Sequence, residues 1–205
     1  MRPGEDLFAG SYFEAQTFDS LTLTALYVEG KHFDGCLFCR CEMSECVFSG
    51  CTFLDCKFEN CNLSLAKIPN SQMGNSSFVG CKMIGIDWTA SLWRKASGKI
   101  LPRFPITFTD CVLDYSIFVA MNLTKAQFMN CSLREVGFES ANLTSANFGT
   151  SELSGALFSD TILTKADFSR ATNYTINVLT SNVSKARFSM PQAASLLYSL
   201  DIILE

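Results

Sequence analysis

An apolar residue returns at every fifth position along almost the whole chain, and very few folds can use a period of five. The positions whose numbers leave a remainder of three on division by five begin Phe8, Phe13, Phe18, Leu23, Val28, Phe33, Phe38, Met43, Phe48, Phe53 and Phe58, and continue through Trp88 and Trp93. After a gap the series resumes at Phe108 and runs without a polar residue to Phe168; Asn173 alone interrupts it before Val178, Val183 and Phe188. Seventeen of the eighteen phenylalanines lie on this register and only Phe104 is off it. An amphipathic helix repeats every 3.6 residues and a half-buried strand every two, so neither returns a side chain to one face every five. A second register, two residues earlier, holds small side chains, among them Cys36, Cys41, Cys46, Cys51, Cys56, Cys61, Ala66, Ser71, Ser76, Cys81, Cys111, Ala126, Cys131 and Ala141. Nine of the ten cysteines sit on it. They exchange with alanine and serine as core fillers do, whereas disulfide partners or metal ligands would not.

Composition narrows the class further. With 205 residues, 48% hydrophobic and 18% charged, and a net charge of −4, the chain can bury one sizeable core. It is neither disordered in composition nor basic enough for direct nucleic-acid binding to be expected. No apolar run approaches the ~18 residues of a membrane span, and Met1-Arg2-Pro3-Gly4-Glu5-Asp6 lacks the charged-then-apolar layout of a signal peptide. A cytoplasmic protein with reduced thiols and no membrane partner is the expectation.

Catalytic equipment is scarce. No GxSxG, phosphate-binding loop, dinucleotide fingerprint or HExxH occurs, and the single histidine, His32, lies on the outer wall beside the inward Phe33. No enzyme activity and no cofactor are expected. Cys36-Leu37-Phe38-Cys39 spells a CxxC near His32 and Cys41, which leaves a zinc or redox reading open. The register already accounts for Cys36 and Cys41, so no metal site is expected, and Cys39 faces outward beside Arg40.

Ala141-Asn142-Leu143-Thr144-Ser145, Ala146-Asn147-Phe148-Gly149-Thr150 and Ala166-Asp167-Phe168-Ser169-Arg170 resemble the unit of the pentapeptide-repeat family: a small residue, Asp or Asn, Leu or Phe, then two mostly polar residues. The resemblance implies an all-β fold, a right-handed quadrilateral β-helix with one pentapeptide per side and twenty residues per coil. Roughly nine coils stacked ~4.8 Å apart make a rod on the order of 40 Å long. In that geometry residues twenty apart become vertical neighbours. The strict alternation of Phe and Leu from Phe108 to Phe168 then places phenylalanine ladders on two opposite sides and leucine ladders on the other two.

Two segments depart from the rod, which is expected to span residues 1–190. Residues 94–107 break the register, contain two prolines, and carry Arg94, Lys95, Lys99 and Arg103 with no acid; Trp93 stands at the base and Phe104 within. This reads as an extruded loop, either a tolerated insertion or a partner-binding element. From 191 to 205 a short helix, with Ser189 as N-cap and Pro191 in its first turn, is expected to lead into a strand over 200–205. That module either caps a monomer or joins two rods end to end through Leu196, Leu197, Tyr198, Ile202 and Leu204. Charge is uneven: residues 1–60 carry a net −6, residues 61–107 a net +5 and residues 108–205 a net −3.

Cys61-Asn62-Leu63-Ser64-Leu65-Ala66, Gly85-Ile86-Asp87-Trp88, and Ala186-Arg187-Phe188-Ser189-Met190-Pro191 leading into Ala194-Ser195-Leu196-Leu197 resemble the branch of the family that protects DNA gyrase, the quinolone-resistance and albicidin-resistance proteins. This resemblance implies a dimeric rod that mimics duplex DNA, binds gyrase or topoisomerase IV, and relieves poisoning by an antibiotic or toxin. The loop at 94–107 stands where the family's large loop does. A general interaction scaffold with an unrelated partner is the alternative. Duplex DNA carries one charge per ~1.7 Å, far more than a dimer at twice −4, so shape, local patches and the loop would have to carry recognition.

Overall fold

The computed structural model describes residues 9–92, 105–200 and 202. The chain winds as a right-handed quadrilateral β-helix whose strands are all parallel. Each strand is three residues long and centred on a register residue, as in Tyr12–Glu14, Thr17–Asp19, Tyr27–Glu29 and His32–Asp34. The central side chain is buried and its neighbours face outward. Pairing is to the segment one coil away: Phe13 with Phe33 and Phe33 with Phe53, and likewise Phe18 with Phe38, Phe38 with Phe58 and Phe58 with Phe78.

Two long aromatic ladders face each other across the interior. Phe18, Phe38, Phe58, Phe78, Phe108, Phe128, Phe148, Phe168 and Phe188 stack ring over ring at 4.7–5.2 Å. On the opposite side Trp88, Phe118, Phe138 and Phe158 do the same at 5.3–5.5 Å. Rings of the two ladders meet edge to face, as Phe128 and Phe138 do at 5.6 Å and 77°. Stacking along a ladder and edge contact across it are the two favoured aromatic geometries. Leu113, Leu133 and Leu153, with Leu123, Leu143 and Leu163 opposite, are buried on the other two sides. From Phe108 to Phe168 the expected alternation of phenylalanine and leucine sides is the arrangement of the core, whereas in the first coils Phe13, Phe33 and Phe53 form a further ladder, stacked at 4.9–5.0 Å, beside Phe18 and Phe38.

The corners explain the rest of the repeat. From Ala15 to Gly85 and from Asp110 to Arg170 the residue two after each register residue adopts a left-handed backbone, with φ from 49° at Ala15 to 73° at Arg170. Asn60, Asn70, Asn75, Asp55, Asp110 and Asn130 occupy such corners, where Asn and Asp are the best tolerated residues after glycine. At Gly155 the absent side chain also makes room, because a Cβ there would meet the Glu135 carboxylate at 2.3–2.8 Å. In the tighter corners the small residue's amide donates to the preceding register carbonyl, as Ala146 N does to Leu143 O at 2.9 Å. The amide after the register residue then turns to the Asn or Asp before it. Thr144 N donates to Asn142 Oδ1 at 3.1 Å, Gly149 N to Asn147 Oδ1 at 2.9 Å and Ser169 N to Asp167 Oδ1 at 2.8 Å. The Asn or Asp of the repeat is thus a local backbone cap.

Cysteine and serine on the small register do more than fill space. Cys36, Cys41, Cys56 and Cys61 donate to the carbonyls of Phe13, Phe18, Phe33 and Phe38 one coil below, at 3.3–3.4 Å. Ser71 and Ser151 make the same bond to Phe48 and Phe128 at 2.7 and 2.8 Å.

Four features differ from the sequence expectations. The second register is not small throughout: Leu26, Ile86, Ile106, Met121, Val136 and Ile176 are buried on it. At Asn173 the inward register slips by one, because Asn173 turns out to bond Glu152 and Tyr174 enters the core against Phe168 and Phe188. The break is shorter than 94–107, since Ile106 is already buried and Thr107–Thr109 is a strand. The terminal helix is a 3-10 helix over Gln192–Leu200, so Leu200 closes a helix instead of opening a strand. Of the remaining expected strand only Ile202 is among the described residues, and it lies in no regular element.

Candidate functional site

The loop's two anchors are well defined. Leu92 N donates to Ser71 O at 2.9 Å, which holds the chain in the coil on the way out. Beyond the break, Gln127 N donates to Ile106 O at 3.0 Å, and Ser77 pairs with Thr107 and Asp87 with Ile117. These partners are thirty residues apart where all earlier coils use twenty, so ten extra residues enter one side of one coil without disturbing the stack. Just before the exit, Asp87 caps a single 3-10 turn, Trp88–Ala90, by accepting from Thr89 N at 2.9 Å. Trp88 is buried within the aromatic ladder, stacked 5.5 Å from Phe118. Beside that turn lies a hollow of about 600 Å3, lined by Leu65, Ile68, Pro69, Gly85 and Ala90 with Lys67 and Asp87.

Trp93, Arg94, Lys95, Lys99, Arg103 and Phe104, singled out from the sequence as a partner-binding loop, lie outside the described residues, as does Leu204. At the C-terminal end Leu196 packs against the core with Val183 and Phe188, so it covers the last coil. Leu197, Tyr198 and Ile202 remain exposed, Tyr198 at 74%. Met190 and Leu179, which the sequence reading did not single out, add 76% and 71% exposed apolar side chains near this end.

The cysteine-centred alternative has no shared geometry. Cys36 and Cys41 point into the core, whereas Cys39 is part-exposed and receives a hydrogen bond from Arg40 at 3.2 Å. His32 is exposed on the outer wall. Among the described residues no three His, Cys, Asp or Glu side chains gather to hold a metal ion, and no helix is long and apolar enough to cross a membrane.

Charges on the wall are arranged in vertical pairs. Arg40 meets Asp19 at 2.6 Å and Arg134 meets Glu152 at 2.7 Å. Burial works against the charge on Glu152, but hydrogen bonds from Asn173 and Arg134 outweigh it and hold the carboxyl below its usual range. Glu42 is held low in the same way by Ser44 and Asn62. In the second half of the rod Lys125, Lys165 and Lys185 share one corner, while Arg134, Arg170 and Arg187 lie elsewhere on the wall. The diagonally opposite corner carries Tyr115, Glu135 and Gly155.

A twenty-residue coil, five-residue sides and a filled interior define a pentapeptide-repeat solenoid. Two family models agree: a pentapeptide repeat region matches residues 31–97, and pentapeptide repeats match residues 118–149 and 151–172. The chain belongs to the pentapeptide-repeat family. Among solved structures it is similar to a trypsin-treated variant of QnrB1, a plasmid-mediated fluoroquinolone resistance protein, with a TM-score of 0.70 at 17% identity over 95% of this chain and 100% of that one. A second QnrB1 variant gives a TM-score of 0.54 at 21% identity, covering 95% and 98%. HetL, involved in heterocyst differentiation regulation in the cyanobacterium Nostoc sp. strain PCC 7120, gives 0.56 at 14% identity, covering 87% and 88%. No curated protein matches the chain by sequence.

Proposed function

We propose that this chain is a non-enzymatic, DNA-mimicking rod that binds DNA gyrase or topoisomerase IV and protects it from a poisoning antibiotic or toxin. The observation that carries the reading is the ten-residue insertion into an otherwise unbroken twenty-residue coil. It bears four cations and no acid, on a rod whose fold is shared end to end with a fluoroquinolone resistance protein. An insertion that left the stack intact and had no contact to make would not need so uniform a charge. Two copies would join through Leu197, Tyr198 and Ile202, with Leu196 beneath and Leu204 beyond, placing two rods end to end. The likeness to HetL favours a second reading, a scaffold for a partner unrelated to topoisomerases.

The test removes Lys95–Phe104. This deletion of ten residues restores twenty-residue spacing between Phe78 and Phe108, so the circular dichroism spectrum and melting temperature should stay near those of the full chain. Binding to immobilised purified gyrase should weaken at least about tenfold, the loss of a central contact. Undiminished binding would show the loop to be inert, and failure of the full chain itself to bind gyrase would favour the scaffold.

A further inference from the structure

One side of the rod, stacked on the turn that precedes the loop, carries an apolar surface with a gap in it. Three successive coils contribute Tyr115–Ala120, Glu135–Ser140 and Gly155–Asp160, and bridges stack Ile117 over Gly137 over Leu157. Ile117 and Leu157 are 41% and 51% exposed, and Tyr115 beside them is 62% exposed. Because Gly137 has no side chain, the two exposed aliphatic groups stand two coils, about 10 Å, apart with a notch between them. A Cβ built at Gly137 would lie 2.9 Å from Glu139 Oε2 and 3.5 Å from Val119, so the Glu139 carboxylate reaches into the notch and Val119 walls it.

Charge decides what fits there. The three segments contain Glu135, Glu139 and Asp160 and no lysine or arginine; Arg134 at their edge is held by Glu152 at 2.7 Å, and Lys125, Lys165 and Lys185 are on the far corner. Glu139 Oε2 is shielded from solvent and has no hydrogen-bond partner among the described residues. A carboxylate oxygen in that position has lost its water without gaining a donor, a cost that an incoming donor would remove.

We infer that this face is a docking surface for a partner segment that carries a lysine or arginine among apolar residues. The aliphatic stem of the cation lies over Gly137 between Ile117 and Leu157, and its charged end meets Glu139, with Glu135 and Asp160 at the edges. Long basic side chains bury their stems in this manner while keeping the charge at a polar rim. A contact that combines apolar anchors with a charge-assisted hydrogen bond is the kind that dominates binding energy in an interface. The assignment rests on the topoisomerase reading for its partner and adds to it a second contact surface, acidic where the loop is basic.

The experiment measures binding of purified gyrase to the full chain and to three variants. Gly137→Val fills the notch, Leu157→Lys places a like charge at its rim, and Ile162→Lys alters an equally prominent aliphatic residue, 44% exposed, on a neighbouring side. Gly137→Val should weaken binding roughly tenfold and Leu157→Lys more, while Ile162→Lys binds as the wild type does. If the wild type binds and both notch variants bind equally well, the docking surface is wrong and the topoisomerase reading stands. Should the wild type fail to bind, the topoisomerase reading fails and this surface's partner fails with it.

Discussion

Raising the pH from about 8 to 11 under reducing conditions is expected to unfold the rod. Burial pushes the Cys46 thiol up to about 11 and the Cys56 thiol up to about 12, and it raises Cys51 as well. In the unfolded chain all of these ionise near pH 8.5. A thiol whose folded pKa is raised contributes stability that is whole below its unfolded pKa and is lost as pH climbs through the folded one. Each thiol can remove up to about 1.4 kcal/mol per pH unit within that window, and Cys46, Cys51 and Cys56 act together. Urea unfolding at a series of pH values measures the slope, and Cys46→Ala with Cys56→Ala should flatten it, since alanine already serves on the same register at Ala66 and Ala146. Equal slopes for the wild type and the double variant would contradict the thiol explanation.

Removing chain in units of one, five and twenty residues should give three different outcomes. Deleting Gln127–Ala146 takes out one whole coil, joins Ala126 to Asn147 on register, and should leave a shorter rod that unfolds cooperatively with little loss of melting temperature, as in other solenoids. Deleting five residues, Ala141–Ser145, keeps every register side chain inward but turns the remaining coils by one side, so phenylalanines stack on leucines. Deleting Thr144 alone shifts all later residues by one and sends the inward set outward. Both should be more damaging than the loss of twenty residues, and the single deletion should abolish cooperative unfolding of the second half. If five-residue and twenty-residue deletions melt alike, the four-sided coil is not what sets the stability.

The inward register was legible because it is a repeated demand of packing: each of four sides needs one large residue, and Phe and Leu alternate so that every layer holds the same volume. The corners were legible in principle. Gly, Asn and Asp recur at Gly50, Asp55, Asn60, Asn70, Asn75 and Gly80, where a left-handed backbone needs them, but attention to the apolar period passes over the position two residues on. The Asn or Asp before each register residue is visible as a motif, whereas its purpose, catching the amide freed by a tight corner, appears only once the corner is built. The slip from Asn173 to Tyr174 was hidden because the period resumes unchanged at Val178.

The candidate site was legible only as composition. A basic break in the register stands out in the sequence, and its anchors at Leu92 and Ile106 confirm where it leaves and rejoins the coil. Its side chains obey no period, so nothing in the pattern fixes their positions. The notch at Gly137 was missed for a related reason: outward residues follow no hydrophobic rule, and Ile117, Gly137 and Leu157 become neighbours only through the twenty-residue stack.

The most direct measurement is DNA supercoiling by purified gyrase, inhibited by a topoisomerase poison and titrated with the full-length protein. Supercoiling should recover as the protein is added, for at least one of several poisons, and the Lys95–Phe104 deletion should fail to restore it. Equal inhibition at every protein concentration, for all the poisons tried, would contradict protection of gyrase by this rod.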